Sequence, residues 1–292
     1  MTGLAPVDGA ALLAVVVKAM GYGAALLAMG GVLFVFVFAR RAAPEVVRVA
    51  QRLAVAAALI GLVILAARFG IRAARISGMG VDGALDPVML GFVWDSPLGT
   101  AAVWRGAGEL AILALLVPRW GRWIALAGCC AVAVSYTQVG HSLGAPRGAL
   151  AGLVGVHLLA AALWVGALMP LRRAASTPHG ADLLHNFGTV AAYGVAVLVV
   201  AGVALAWLLS GSLSALFGTA YGAGLLLKVA GVSVLLGFAA LNKLRLVPAL
   251  RAGTAEAGPA LKRSILAEAV AVAVILLATA ALTVLTTPPV NL

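Results

Sequence analysis

The chain has 292 residues, 64% hydrophobic and 10% charged, with mean hydropathy +1.13 and formal net charge +11. Soluble domains run at about 45–50% apolar and 25% charged, so this composition excludes a water-soluble globular protein and points to one immersed in a lipid bilayer. The cations do not imply nucleic acid as a partner, because Lys and Arg fall in short clusters between apolar runs, as in loops that face the cytoplasm and its anionic lipids.

A membrane-crossing helix needs about 20 apolar residues. Eight such segments are predicted, at about 9–39, 45–72, 98–117, 123–142, 149–171, 184–210, 220–247 and 262–286, so the expected fold is all-α and polytopic. The first segment has no basic leader and contains Lys18, so it reads as a retained span and not as a cleaved signal. The 35 glycines predict close helix approach through small-residue faces. The two cysteines, Cys129 and Cys130, are adjacent, which excludes a disulfide framework.

Orientation follows from the cations. Arg40, Arg41, Arg48 and Arg52 follow the first segment, Arg119 and Arg122 the third, Arg172 and Arg173 the fifth, and Lys243, Arg245, Arg251, Lys262 and Arg263 the seventh. The alternate turns are poor in cations, and the longest holds Asp82, Asp86 and Asp95. The positive-inside rule then predicts eight crossings with both termini periplasmic. Within the acidic outer segment 77–98, the stretch Pro87–Trp94 is too short to span and is expected to lie at the interface.

A repeat is visible within the chain. Ser96, Gly99 and Arg105 have the same spacing as Thr219, Gly222 and Lys228, and the turn Ala39-Arg-Arg-Ala-Ala43 matches Leu171-Arg-Arg-Ala-Ala175. Four crossings per half is an even number. A first half at 1–142 and a second at 143–292 would therefore share orientation, related by an axis along the membrane normal.

Polar groups inside hydrocarbon are the functional candidates. His141 closes the fourth segment at the outer rim and His157 lies about 12 Å deeper on the fifth, at 1.5 Å per residue. A buried histidine that only bonds a neighbouring helix is the competing structural reading. Cys130, Thr137 and His141 fall on one helical stripe, as do His157 and Trp164 on the next helix. Imidazole and thiolate suit copper, whereas magnesium or calcium would need oxygen clusters. The predicted metal ligands are therefore His141, His157 and Cys130. Met20, Met29, Met79, Met89 and Met169 are further thioether candidates, although methionine among apolar residues is usually filler. Trp164 and Glu268 complete the candidate path, with Glu268 near the inner interface. Arg105 and Glu109, four apart, are expected to pair. Arg68, Arg72, Arg75, Lys18 and Lys228 read as cations snorkelling to the outer interface, with anion binding or cation exclusion as the functional alternative. His179 and His185 read as surface residues of an inner turn.

Several stretches then carry a resemblance. They are His157-Leu-Leu-Ala-Ala-Ala-Leu-Trp164 through Pro170, Thr219-Ala-Tyr-Gly222 with Lys228, Leu241-Asn242-Lys243 through Pro248, Arg263-Ser-Ile-Leu-Ala-Glu268, and Leu282-Thr283 before Pro288-Pro289. In these the chain resembles the copper resistance protein D (CopD) family of bacterial inner-membrane proteins, most clearly over 137–289. The resemblance implies eight helices and copper handling, usually import from periplasm to cytoplasm, often with a small periplasmic copper carrier, here a separate protein. The expected function is transport of copper, as Cu(I) rather than Cu(II), with no enzymatic activity and no haem. The alternatives are a b-type haem oxidoreductase and a non-transporting partner of a copper carrier. The 12 Å offset in depth between His141 and His157 speaks against bis-histidine haem.

Overall fold

The computed structural model describes residues 7–140 and 147–287, nearly all of them helical, with no sheet among them. Helix α1 (Gly9–Phe38) begins where the Asp8 carboxylate accepts from the Ala11 N–H at 2.7 Å, satisfying a donor of the first turn. Helix α2 (Pro44–Ser77) starts with proline in its first turn and stops at Gly78, whose φ of 71° suits glycine. The outer segment folds as two short helices, α3 (Gly80–Leu85) and α4 (Pro87–Trp94), the latter capped by Asp86. Val88, Phe92 and Trp94 are exposed on α4, the arrangement expected of a short helix lying in a membrane interface.

Then follow α5 (Pro97–Ile112) with a 3₁₀ turn at Leu113–Leu116, and α6 (Gly121–Thr137). The second part comprises α7 (Arg147–Ala174), α8 (Gly180–Ser210), α9 (Leu213–Gly218) and α10 (Ala220–Leu241). A π-helical turn at Asn242–Leu246 leads into α11 (Val247–Arg251), and α12 (Ala257–Leu285) ends it. Among the described residues seven helices are long and apolar enough to cross a membrane, so the chain is a multi-pass membrane protein. The predicted fourth span differs: α6 has 17 residues, about 25 Å at 1.5 Å each, against about 30 Å of hydrocarbon. It ends at Thr137, and Gly140 has a φ of 69°, a conformation that does not continue a helix.

At the centre α1 packs on α7, and each of them also touches α6 and α12. Glycine permits this. A Cβ added to Gly30 would fall 1.8 Å from the Ala162 carbonyl oxygen, and one on Gly166 would fall 2.4 Å from the Gly30 carbonyl carbon. Without a hydrophobic force between helices in lipid, such backbone-to-backbone contact is the main source of packing energy. Helices α5 and α6 meet in the same way through Gly108 and Gly128.

The two matching sequence patterns take up matching local structures. Ser96 Oγ accepts from the Leu98 N–H at 3.2 Å, and Thr219 Oγ1 accepts from the Gly222 N–H at 3.1 Å. In each case a short helix runs into a long one, and the glycine three residues past the cap touches the backbone of the short helix. A Cβ on Gly99 would fall 1.8 Å from the Trp94 oxygen, and one on Gly222 would fall 2.0 Å from the Leu216 oxygen.

The glycine contacts predict the outcome of a simple comparison by thermal unfolding in detergent. Gly30→Ala should destabilise by about 1–3 kcal/mol, the range for overpacking. Gly155→Ala, in α7 with nothing within 4 Å of the added carbon, should be neutral or slightly stabilising.

Candidate functional site

One end of every long helix reaches a common cavity of about 480 Å³. Lys18 of α1, Arg68 of α2, Arg105 of α5 and Lys228 of α10 all line it, with His157 and Trp164 of α7. The remaining wall is mostly aliphatic, and no Asp or Glu among the described residues lines it. These four basic residues share a common interior space.

Each is held differently. Arg105 is buried, lies 3.5 Å from the Glu109 carboxylate, and stacks its guanidinium 4.2 Å from the centroid of the Tyr136 ring. Glu109 is fully buried, and Gly61 on α2 leaves the space it occupies, since a Cβ there would come within 2.3 Å of its oxygen. Lys18 donates to the Thr283 carbonyl of α12 at 3.2 Å, and the Tyr22 and Thr283 hydroxyls lie 3.4 Å apart. These contacts tie the start of α1 to the end of α12. Among the described residues the ion pairs are Arg105–Glu109 and the exposed Arg251–Asp182, so no carboxylate pairs with Lys18, Arg68 or Lys228.

His157 stands on the same wall. Its Nδ1 lies 3.3 Å from the Leu198 carbonyl oxygen of α8, next to Gly202. A carbonyl only accepts, so the neutral ring carries its proton on Nδ1 and keeps the Nε2 lone pair. Metal-binding histidines are commonly oriented in this way.

Trp164, two helical turns along from His157, marks where the cavity meets a second polar cluster. Its indole N–H donates to Glu268 Oε2 at 3.0 Å, and the Asn242 amide donates to Glu268 Oε1. All three residues are buried, and Glu268 is 3% exposed. Asn242 opens the π-helical turn that follows α10. Such turns displace a side chain from its helical register and recur at functional positions. The sequence reading put Glu268 near the inner interface; in the structure it is enclosed between α7, α12 and this turn.

Two family models match the chain. One, described as copper resistance protein D-like, N-terminal domain, covers residues 8–151, and the other, copper resistance protein D, covers residues 181–282. The chain belongs to the copper resistance protein D family. No curated protein and no solved structure matches it. The membership makes it a copper-handling membrane protein.

The copper candidates of this family member are distributed unevenly. His141 lies outside the described residues. Cys130 is exposed on the outer face of α6 and does not line the cavity, whereas Cys129 is buried and donates to the Met29 carbonyl at 3.8 Å. Met29 itself is fully buried in the core, and Met20 and Met79 are exposed. Met89 and Met169 are half-buried, and no methionine among the described residues lines the cavity. His179 and His185 are exposed. Among the described residues no three His, Cys, Asp or Glu side chains gather closely enough to enclose a metal ion. Sequence reasoning assigned no role to Asn242, Tyr22 or Tyr136, and read Lys18, Arg68 and Lys228 first as snorkelling groups. The equal offsets of Arg105 and Lys228 from their caps were the available sign that these cations face one place.

The carboxyl cluster is testable by a double-mutant cycle followed by thermal unfolding. Trp164→Phe should cost about 1–3 kcal/mol by leaving a buried acceptor without its donor. Against a Glu268→Leu background the same change should cost less, with a coupling of about 0.5–3 kcal/mol.

Proposed function

We propose that this protein transports copper, as Cu(I), across the bacterial inner membrane from periplasm to cytoplasm. The observation that carries the reading is His157: an imidazole in a cavity within the bundle, its Nδ1 bonded to the Leu198 carbonyl, so that Nε2 is left as a ligand. Membership of a copper resistance family supplies the ion. The route runs from the cavity past His157 to Trp164 and then to the Glu268–Asn242 cluster, which offers oxygen ligands deeper in the bundle. Sparse one- or two-ligand stations suit conduction, because an ion must leave as readily as it enters.

The finer topology belongs to the same proposal. With the arginine-rich turns inside, the cavity end is periplasmic, both termini lie there, and α6 makes an eighth crossing with some thinning of the bilayer around it. Support for α6 comes from its C-terminal residues Ser135 and Tyr136, which reach the same cavity as the starts of α1, α5, α7 and α10. The halves 1–142 and 143–292 form a parallel repeat, supported by the paired caps Ser96 and Thr219 and by the equivalent contacts of α1 and α7 with α6 and α12. A separate periplasmic carrier delivers the copper. The sequence holds no nucleotide-binding motif, so movement follows the gradient, the membrane potential or a partner. The chain acts as a transporter and not as an enzyme.

Copper uptake into proteoliposomes under reducing conditions tests this. His157→Ala should reduce uptake at least tenfold while the protein remains folded and monodisperse; uptake and copper binding both unchanged in that variant would sink the proposal. An absorption spectrum of the purified protein addresses the haem alternative, since a Soret band would favour the oxidoreductase reading.

A further inference from the structure

More basic side chains line the cavity wall than carboxylates among the described residues pair with. Lys18, Arg68, Arg105 and Lys228 line it, no carboxylate among the described residues lines it, and Glu109 behind the wall offsets only Arg105. Lys18 is bonded to a neutral carbonyl. Cations within a membrane bundle are retained where they face a water-filled or ligand-filled space, and there they mark what passes or binds.

Their arrangement is not a chance of snorkelling. Arg105 and Lys228 each stand nine residues after a hydroxyl cap, on different helices, and both reach this cavity. Within the same repeat Leu98 and Ala102 correspond to Tyr221 and Leu225, and all four also line it. Offsets of two, six and nine residues from the cap trace one helical face. The two helices thus turn similar faces, each with a basic residue nine positions after its cap, toward the same cavity. Lys18 and Arg68 reach it from two further helices.

We infer that this cavity is a binding site for an anion bearing carboxylate or phosphate groups. A guanidinium fork beside ammonium groups is the donor set such oxygens match best. A volume of about 480 Å³ with aliphatic walls is the scale of a small-molecule site, too large for a single halide. The ligand is either the headgroup of an anionic lipid entering between helices or a free small anion, alone or as a chelate. The site goes beyond the transport reading and stands whether or not copper passes His157.

The test uses the full-length protein, purified in neutral detergent and delipidated. Its unfolding temperature and tryptophan fluorescence, the latter sensitive to Trp164 in the wall, are titrated with inorganic phosphate, citrate, and short-chain phosphatidylglycerol against phosphatidylcholine. At least one anionic probe should give a saturable response that its neutral counterpart lacks and that weakens with added salt. Arg68→Gln with Lys228→Gln should weaken the apparent affinity at least tenfold, while Arg173→Gln at the opposite end leaves it unchanged. Saturation by phosphate or citrate identifies a free anion. A response confined to phosphatidylglycerol, with a co-purified lipid that native mass spectrometry finds in wild type and not in the double variant, identifies a headgroup. If the double variant fails to fold, the wild-type contrast between anionic and neutral probes decides. No anionic preference in wild type, or equal affinity in a folded double variant, overturns the site.

Discussion

Charge in hydrocarbon must find an opposite charge, a hydrogen-bond partner or water, and most of this structure follows from that requirement. A Lys, Arg or Asp at the centre of a membrane helix costs about 2.5–3.5 kcal/mol even on the mildest scale. The chain meets the cost in three ways. Arg105 and Glu109 neutralise each other on one helix. Glu268 accepts from Trp164 and Asn242, on two other elements. Lys18, Arg68 and Lys228 are gathered around one interior space. The bundle can hold such a space because it is drawn tight elsewhere, where Gly30 meets Gly166 and Gly108 meets Gly128 without side chains between the backbones.

This solution bears on how copper would cross. Two like charges about 10 Å apart repel by about 1.7 kcal/mol at an effective dielectric of ~20. Several unneutralised cations around His157 would therefore oppose a bare copper ion at the point where the imidazole is best arranged to receive one. An anion bound in the cavity, as inferred above, would remove the conflict. With its charge compensated, the wall would become a neutral vestibule, and selectivity would pass to the imidazole. The Glu268 carboxyl lies beyond Trp164 and does not line the cavity that those basic groups share.

The repeated cap explains how two helices far apart in sequence come to contribute equivalent side chains. A short helix stops and a hydroxyl caps the next one. The glycine three residues on then lets the long helix start against the backbone of the short one. That fixes the rotation of the long helix at its first turn, and with it the direction of every later side chain. Arg105 and Lys228 are aimed by a turn nine residues away.

The amino-acid sequence by itself determined the class of molecule, because apolar run length and charge depletion depend on the chain alone. It also determined the locations of the long helices, the pairing of Arg105 with Glu109, and the similar caps at Ser96 and Thr219, since these are local relations within one helix or one turn. Facing positions on different helices were decided only by tertiary structure. Cys130 and Cys129 differ by one 100° step, and packing against Met29 chose Cys129 for the interior. The length of α6 depended on where the chain turns at Gly140. Lys18 and Lys228, 210 positions apart in the chain, share a cavity, and Glu268 meets Asn242 through a π-helical turn that no hydrophobic period reveals. Such meetings depend on crossing angles and backbone contacts between helices, quantities set by three-dimensional packing and not written in any single stretch of residues.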